Sequence, residues 1–187
     1  MKYVSIDIET TGLDENYCQI LSVGAIIEDT KNKLPFEEIP KFHAVIVRDR
    51  IQGEPFALNL NRDLIELVNE YYTSKEKDTD LIFINENYLA KSLNDFFIRN
   101  SLSGKITVAG KNYQDFDKKF LDKVPHWNAL DIHRRVIDPA TSFVDWENDN
   151  ELPNLNLCKQ RAGLEGIVTH NAIEDAWDVI QLLRTKY

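Results

Sequence analysis

Hydrophobic and polar positions alternate from the first residues: Val4, Ile6 and Ile8 interleave with Tyr3, Ser5, Asp7 and Glu9. That is the period of two expected of a strand whose two faces meet different surroundings. Thr11-Gly12-Leu13-Asp14 then supplies turn chemistry, Ile20 to Glu28 is a second β-rich run, and Lys41 to Val47, preceded by Pro35 and Pro40, is a third. Three strands in about the first fifty residues predict an antiparallel meander. The period then changes. Leu58, Leu64, Ile65, Leu67 and Val68 predict a helix over 58–72, and Leu89, Leu93, Phe96 and Phe97 mark another, with the charged stretch Lys75 to Asp80 as a loop between them. Ile106-Thr107-Val108-Ala109 reads as a short buried strand closed by Gly110. Phe116, Phe120 and Leu121 follow on a helix that ends before Pro125, and Leu130 falls on a brief fifth strand. Residues 139–153 are acidic and bracketed by Pro139 and Pro153, which predicts a mobile surface loop. Helices over 155–162 and 172–183 close the chain. With no repeat and no linker, the pattern predicts one α/β domain over residues 1–187.

Composition narrows the function. A chain of 187 residues with 43% hydrophobic and 28% charged positions is that of one ordinary globular domain. Asp and Glu number 31 against 22 Lys and Arg, a net charge of -9. Such a balance argues against a protein that coats nucleic acid or binds anionic membranes. A small site for nucleic-acid ends stays open, provided cations neutralise the carboxylates around it. Cys18 and Cys158 are far apart and give no zinc or disulfide spacing, as expected of thiols in a reducing compartment. The chain reaches Asp7 before a signal-peptide core could form, and no apolar run approaches the length of about 20 residues needed for a membrane span. These features predict a cytoplasmic protein without a membrane partner.

Several carboxylates are placed where burial would be costly. Asp7 and Glu9, two apart on a strand, emerge from one face about 7 Å apart. Asp117 sits among Tyr113, Phe116, Phe120 and Leu121, on or beside an apolar stripe, where an ionised carboxylate needs a partner or a cation. Asn171 with Glu174 three residues later marks a helix start, which puts His170 just outside that helix and Asp175 in its first turn. Four carboxylates with no matching basic cluster in sequence suit hard divalent ions, Mg²⁺ or Mn²⁺. Two such ions can clamp the oxygens of a phosphodiester, and a histidine beside them supplies a base that titrates near neutral pH.

Three segments resemble a known family. Asp7-Ile8-Glu9-Thr10-Thr11-Gly12 is similar to the first motif of the DnaQ-like (DEDDh) exonucleases, Asn112 to Leu121 to the second, and His170 to Ala176 to the third. Leu155 to Lys159 precedes the third motif as in that family. The resemblance implies a ribonuclease H-like fold, a mixed sheet of about five strands with helices on both faces. It implies 3′-to-5′ hydrolysis of single-stranded DNA or RNA ends to nucleoside 5′-monophosphates. By motif match, Asp7, Glu9 and Asp175 would hold one divalent cation, and Asp7 with Asp117 a second. His170 would act as general base, and Thr10 and Thr11 would meet the terminal nucleotide. Asp115 is a weaker rival to Asp117, and Leu13 and Phe116 are candidates to stack on terminal bases. Lys111, Lys118, Lys159 and Arg161 are the cations expected to grip terminal phosphates. Alternatives within the same fold are a non-catalytic end-binding or interaction module and a proofreading subunit with a polymerase partner. A homodimer is also left open.

Overall fold

Strands β1 (Lys2–Thr10), β2 (Ile20–Asp29) and β3 (Lys41–Ile46) pair antiparallel in chain order. This is the meander that the alternation predicts. The structure, a computed structural model, describes residues 1–73, 81–166 and 168–187. Two short strands add in parallel at the edges: β4 (Ile82–Ile84) beside β3 and β5 (Val108–Ala109) beside β1. The order is β4-β3-β2-β1-β5. The helices are α1 (Pro55–Leu60), α2 (Arg62–Thr73), α3 (Leu89–Arg99), α4 (Asp117–Leu121), α5 (Leu155–Ala162) and α6 (Ala172–Arg184). A mixed five-stranded sheet with helices on both faces is the ribonuclease H-like architecture that the motifs imply.

The period of two assigns each β1 residue to a layer. Val4, Ile6 and Ile8 join Ala25, Ile27, Phe42, Ala44 and Ile46 under Leu89, Leu93, Phe96 and Phe97 of α3. Tyr3, Ser5, Asp7 and Glu9 point to the opposite face, where Tyr3 and Ile26 pack on Ile173, Ala176, Val179, Ile180 and Leu183 of α6. Each such aliphatic side chain contributes about 1.5–3 kcal/mol when fully buried. That packing fixes α6 on the carboxylate-bearing face. The far end of α6 is tied down as well: Arg184 donates from Nε and Nη2 to the fully buried Glu28 at 3.0 and 2.6 Å, and the Tyr187 hydroxyl donates to Glu28 Oε1 at 3.1 Å.

One glycine lets the near end approach. Asp7, Gly24 and His43 lie side by side across β1, β2 and β3. A Cβ on Gly24 would collide with the carbonyl of Ala172, the first residue of α6. The absence of a side chain at Gly24 therefore brings the start of α6 down onto the sheet next to Asp7.

The structure differs from the periodicity in three places. The helix predicted over 58–72 is two helices: Pro55 starts α1 earlier, and the buried Asn61 separates it from α2. The Asn61 side-chain amide donates to the carbonyls of Thr10 (3.1 Å) and Ala57 (3.3 Å), so it serves β1 as well as its own helix. The fifth strand is β4, three residues too short to show a period. Leu130 instead closes a 3₁₀ turn over Trp127–Ala129, and only the isolated bridges Ile106–Ile132 and Ala109–Ile137 extend the sheet beyond β5. The segment 139–153 is anchored rather than free. Ala140 and Phe143 are buried with Cys158 and Leu182, and Arg161 holds Asp149 through a two-pronged ion pair at 2.5 and 2.7 Å. The loop predicted over Lys75–Asp80 lies outside the described residues.

Candidate active site

Asp7 and Glu9 come from one face of β1, and a register shift between Glu9 and Thr10 kinks the strand where they emerge. β5 pairs only with Val4 and Ser5, so the β1 edge is open further along. There the Ile8 amide donates to Asp117 Oδ1 at 3.1 Å, which pins the first residue of α4 to the strand. Asp175 arrives with α6, whose first turn is capped by the Asn171 side chain accepting from the Ile173 amide. His170 precedes that cap in the left-handed conformation, φ 54°. The Thr169 hydroxyl donates to Glu174 Oε2 at 2.6 Å and ties the His170 turn to α6. The expected helix start is therefore present, with Glu174 bonded to Thr169.

These five side chains line one cavity of about 350 Å³. Thr10, Leu13 and Phe116 line it too, as do Phe56, Ala57, Leu60 and Asn61 from α1 and the residue after it, together with Glu54, Lys111 and Asn112. Thr11 is not brought there. It is fully buried, accepts from the Gln19 amide at 2.8 Å through its hydroxyl, and receives the Glu54 amide on its carbonyl at 2.7 Å. Thr11 shapes the turn that presents Leu13, and it is not among the residues that line the cavity. Asp115 is exposed and lines the neighbouring groove rather than this cavity.

The carboxylates are crowded and short of compensation. Glu9, Asp117 and Asp175 are 7, 3 and 6% exposed. Burial, then Asp175 and Asp117, push Glu9 up to about 8. Asp7 is raised well above the usual carboxylate range by burial and by Asp117, Asp175 and Glu9. Burial lifts Asp117 to about 7 against the opposing backbone hydrogen bonds. Burial and then Asp178 lift Asp175 to about 7, while Lys159 opposes. His43, in the row with Asp7, offers no positive charge, because burial depresses it to about 4.

The donor set fits a divalent cation. Asp175 Oδ1 is buried without a hydrogen-bond partner, and ligand atoms of Glu9, His170 and Asp175 lie within 4.8 Å of one another. Three of the four cations expected to grip phosphates are already committed. Lys118 pairs with Asp122, Arg161 with Asp149, and Lys159 lies buried against Asp178 at 2.5 Å. Lys111 alone remains at the cavity. The α1 residues Phe56 and Leu60, and Asn61 after them, were not legible as site residues. Phe56 and Leu60 are exposed apolar side chains, a signal visible only once a helix shows no buried face.

Comparison with known proteins places the chain. An exonuclease family model, RNase T, matches residues 4–183. No curated protein sequence matches significantly. Among solved structures, E. coli Exonuclease I in complex with a dT13 oligonucleotide superposes with a TM-score of 0.64 at 18% identity, over 98% of this chain and 40% of that one. The same enzyme with dA16 gives 0.64 at 16% identity over 98% and 40%, and its zinc-bound complex with single-stranded DNA gives 0.63 at 18% over 98% and 39%. The chain thus spans about two fifths of the length of these structures, and the likeness shows a shared fold. Among the described residues no helix is long and apolar enough to cross a membrane. With the family model covering nearly every residue, the chain belongs to the RNase T-type exonuclease family, within the DnaQ-like group that its motifs resemble.

Proposed function

We propose that this chain is a metal-dependent 3′-to-5′ exonuclease that removes nucleoside 5′-monophosphates from single-stranded DNA or RNA ends. The observation that carries the reading is the convergence of Asp7, Glu9, Asp117, Asp175 and His170 on one cavity, with a buried carboxylate oxygen lacking any hydrogen-bond partner. Asp7, Glu9 and Asp175 would hold one divalent cation, Mg²⁺ or Mn²⁺, and Asp7 with Asp117 a second. The chemistry such ions would supply there is neutralisation of charge on the attacking and leaving oxygens of a phosphodiester. His170, exposed at the rim, takes the proton from the attacking water. Leu13, Phe56, Leu60 and Phe116 form an apolar flank against which a terminal base can lie; an aromatic stack is worth about 1–3 kcal/mol. Thr10 and Asn61 hold the β1 turn at that flank.

The test is turnover of 5′-labelled single strands in Mg²⁺ or Mn²⁺. Wild-type protein should release mononucleotides from the 3′ end, chelator should abolish release, and Asp7→Asn should lower the rate by several orders of magnitude, as expected when transition-state charge loses its stabilisation. Wild-type-like turnover in Asp7→Asn would overturn the assignment. Chelator-insensitive binding of 3′ ends with no turnover in either ion would favour a non-catalytic end-binding module.

A further inference from the structure

A second concavity of about 510 Å³ neighbours the catalytic cavity, and the two share Lys111 and Asn112 on a single turn. The second groove is lined further by Gln114, Arg134 and Asp138. Its floor is rigid. The His133 amide donates to Ile106 O at 2.7 Å, the Ile137 amide to Val108 O at 3.0 Å, and the Gly110 amide to Ile137 O at 3.0 Å, so residues 133–137 are fastened along β5. The Arg135 amide donates to His133 Nδ1 at 2.9 Å, which sets the turn that presents Arg134.

The charges in the groove are unequal in availability. Asp138 accepts from the Asn112 amide at 2.9 Å and the Ala140 amide at 2.8 Å, so both of its oxygens are engaged. Asp115 and Glu151 are exposed, where water and salt screen them. Arg134 and Lys111, among the described residues, form no ion pair or side-chain hydrogen bond. In a protein of net charge -9, whose other candidate cations are paired, these two are free to meet an anion.

We propose that this groove seats the nucleotides immediately 5′ of the scissile phosphate, with Arg134 as the contact to the first upstream phosphate and Lys111 at the shared wall. The inference rests on the nuclease reading above. A strand whose 3′ terminus is in the cavity must leave it on some side. The apolar lining from Leu13, Phe56 and Leu60 suits a base, whereas Lys111 and Asn112 are polar and line the groove as well as the cavity. Arginine matches phosphate oxygens with a planar fork of donors. The footprint is correspondingly short, two or three phosphates, for which the single-strand salt slope is about -1.4 to -2.1.

Calorimetric titration of 5′-hydroxyl oligothymidylates and oligouridylates of two, three, four and eight nucleotides, in Ca²⁺ to suppress cleavage, tests this. A 5′-hydroxyl dinucleotide has only the scissile phosphate, and a trinucleotide has one upstream. Arg134→Gln should weaken binding of trimers and longer strands about tenfold, the scale of one charge-assisted hydrogen bond. It should lower the salt slope by about 0.7 and leave the dinucleotide unchanged. Lys91→Gln, which removes an equal charge on α3, should change neither. An equal loss for the dinucleotide, or no loss at any length, would overturn the groove assignment while wild-type turnover keeps the nuclease reading. Failure of the wild-type protein to bind or cleave any strand would overturn both.

Discussion

At the residue scale the site is defined by which polar groups have partners and which do not. Thr11 and Thr10 are adjacent in the motif, yet Thr11 is consumed by the Gln19 amide and the wall at Gly53, while Thr10 lines the cavity. The difference arises because β1 ends at Thr10, after the register shift between Glu9 and Thr10, so Thr11 already belongs to the turn. Thr11→Val should therefore impair stability more than substrate affinity, because it leaves the Gln19 amide without its acceptor. His170 is the reverse case. It is exposed, bears no structural hydrogen bond of its own among the described residues, and is held in place by its backbone conformation and by the Thr169–Glu174 bond. His170→Ala should fold normally, bind divalent cations through the carboxylates, and lose roughly a hundredfold or more in rate, the usual scale for removal of a general base. The pH–rate profile is the discriminating measurement. A lost acid limb supports His170 as the base, and an unchanged profile moves that role elsewhere.

At the element scale the decisive contact is between β2 and α6. Gly24 lets the first turn of α6 rest on the sheet, and that approach sets how far Asp175 stands from Asp7 and Glu9. Gly24→Ala should push the start of α6 outward while Glu28–Arg184 and the Ile173-to-Leu183 face keep its far end docked. Overpacking of this kind costs typically about 1–3 kcal/mol. A larger loss in metal affinity than in melting temperature would show that the displaced element matters mainly through the site; a loss confined to stability would contradict that. The sequence made much of this arrangement readable. The alternation of β1 put Asp7 and Glu9 together on one face, the apolar setting of Asp117 marked it as a costly carboxylate, and Asn171 announced the start of α6. What it concealed are features fixed by tertiary pairing. β4 is three residues long and acquires strand geometry only from β3, so its period could not be seen. Asn61 breaks a helical pattern because its amide reaches Thr10, fifty-one positions away in sequence. Lys118, Lys159 and Arg161 look available in sequence because nothing local predicts their partners at Asp178 or Asp149, and even the i,i+4 pair with Asp122 competes with solvent.

At the scale of the whole molecule, the net charge of -9 is distributed so that its costliest part is buried at the site. Glu9 is raised to about 8, Asp117 and Asp175 to about 7, and Asp7 is raised as well, in each case with burial as the largest cause. In the unfolded chain these groups titrate near 4. Between about pH 4 and 8 the folded, metal-free protein therefore holds protons that the unfolded chain has released, and stability falls as pH rises through that window. Surface repulsion in an acidic protein acts in the same direction, so the site's share must be isolated by comparison. In chelator, the wild-type melting temperature should decline from pH 5 to pH 8, and Asp7→Asn or Asp175→Asn should flatten the decline. Divalent cations should reverse it, because ligands that bind only the folded state stabilise it by about 2.7 kcal/mol at a hundred times Kd. For a chain of this size that corresponds to a rise of roughly 5–11 °C. Binding at pH 7 should also release protons, since the carboxylates must ionise to take the ion. Proton uptake instead of release, or an ion-induced rise as large in Asp7→Asn as in wild type, would place the cations somewhere other than this carboxylate cluster.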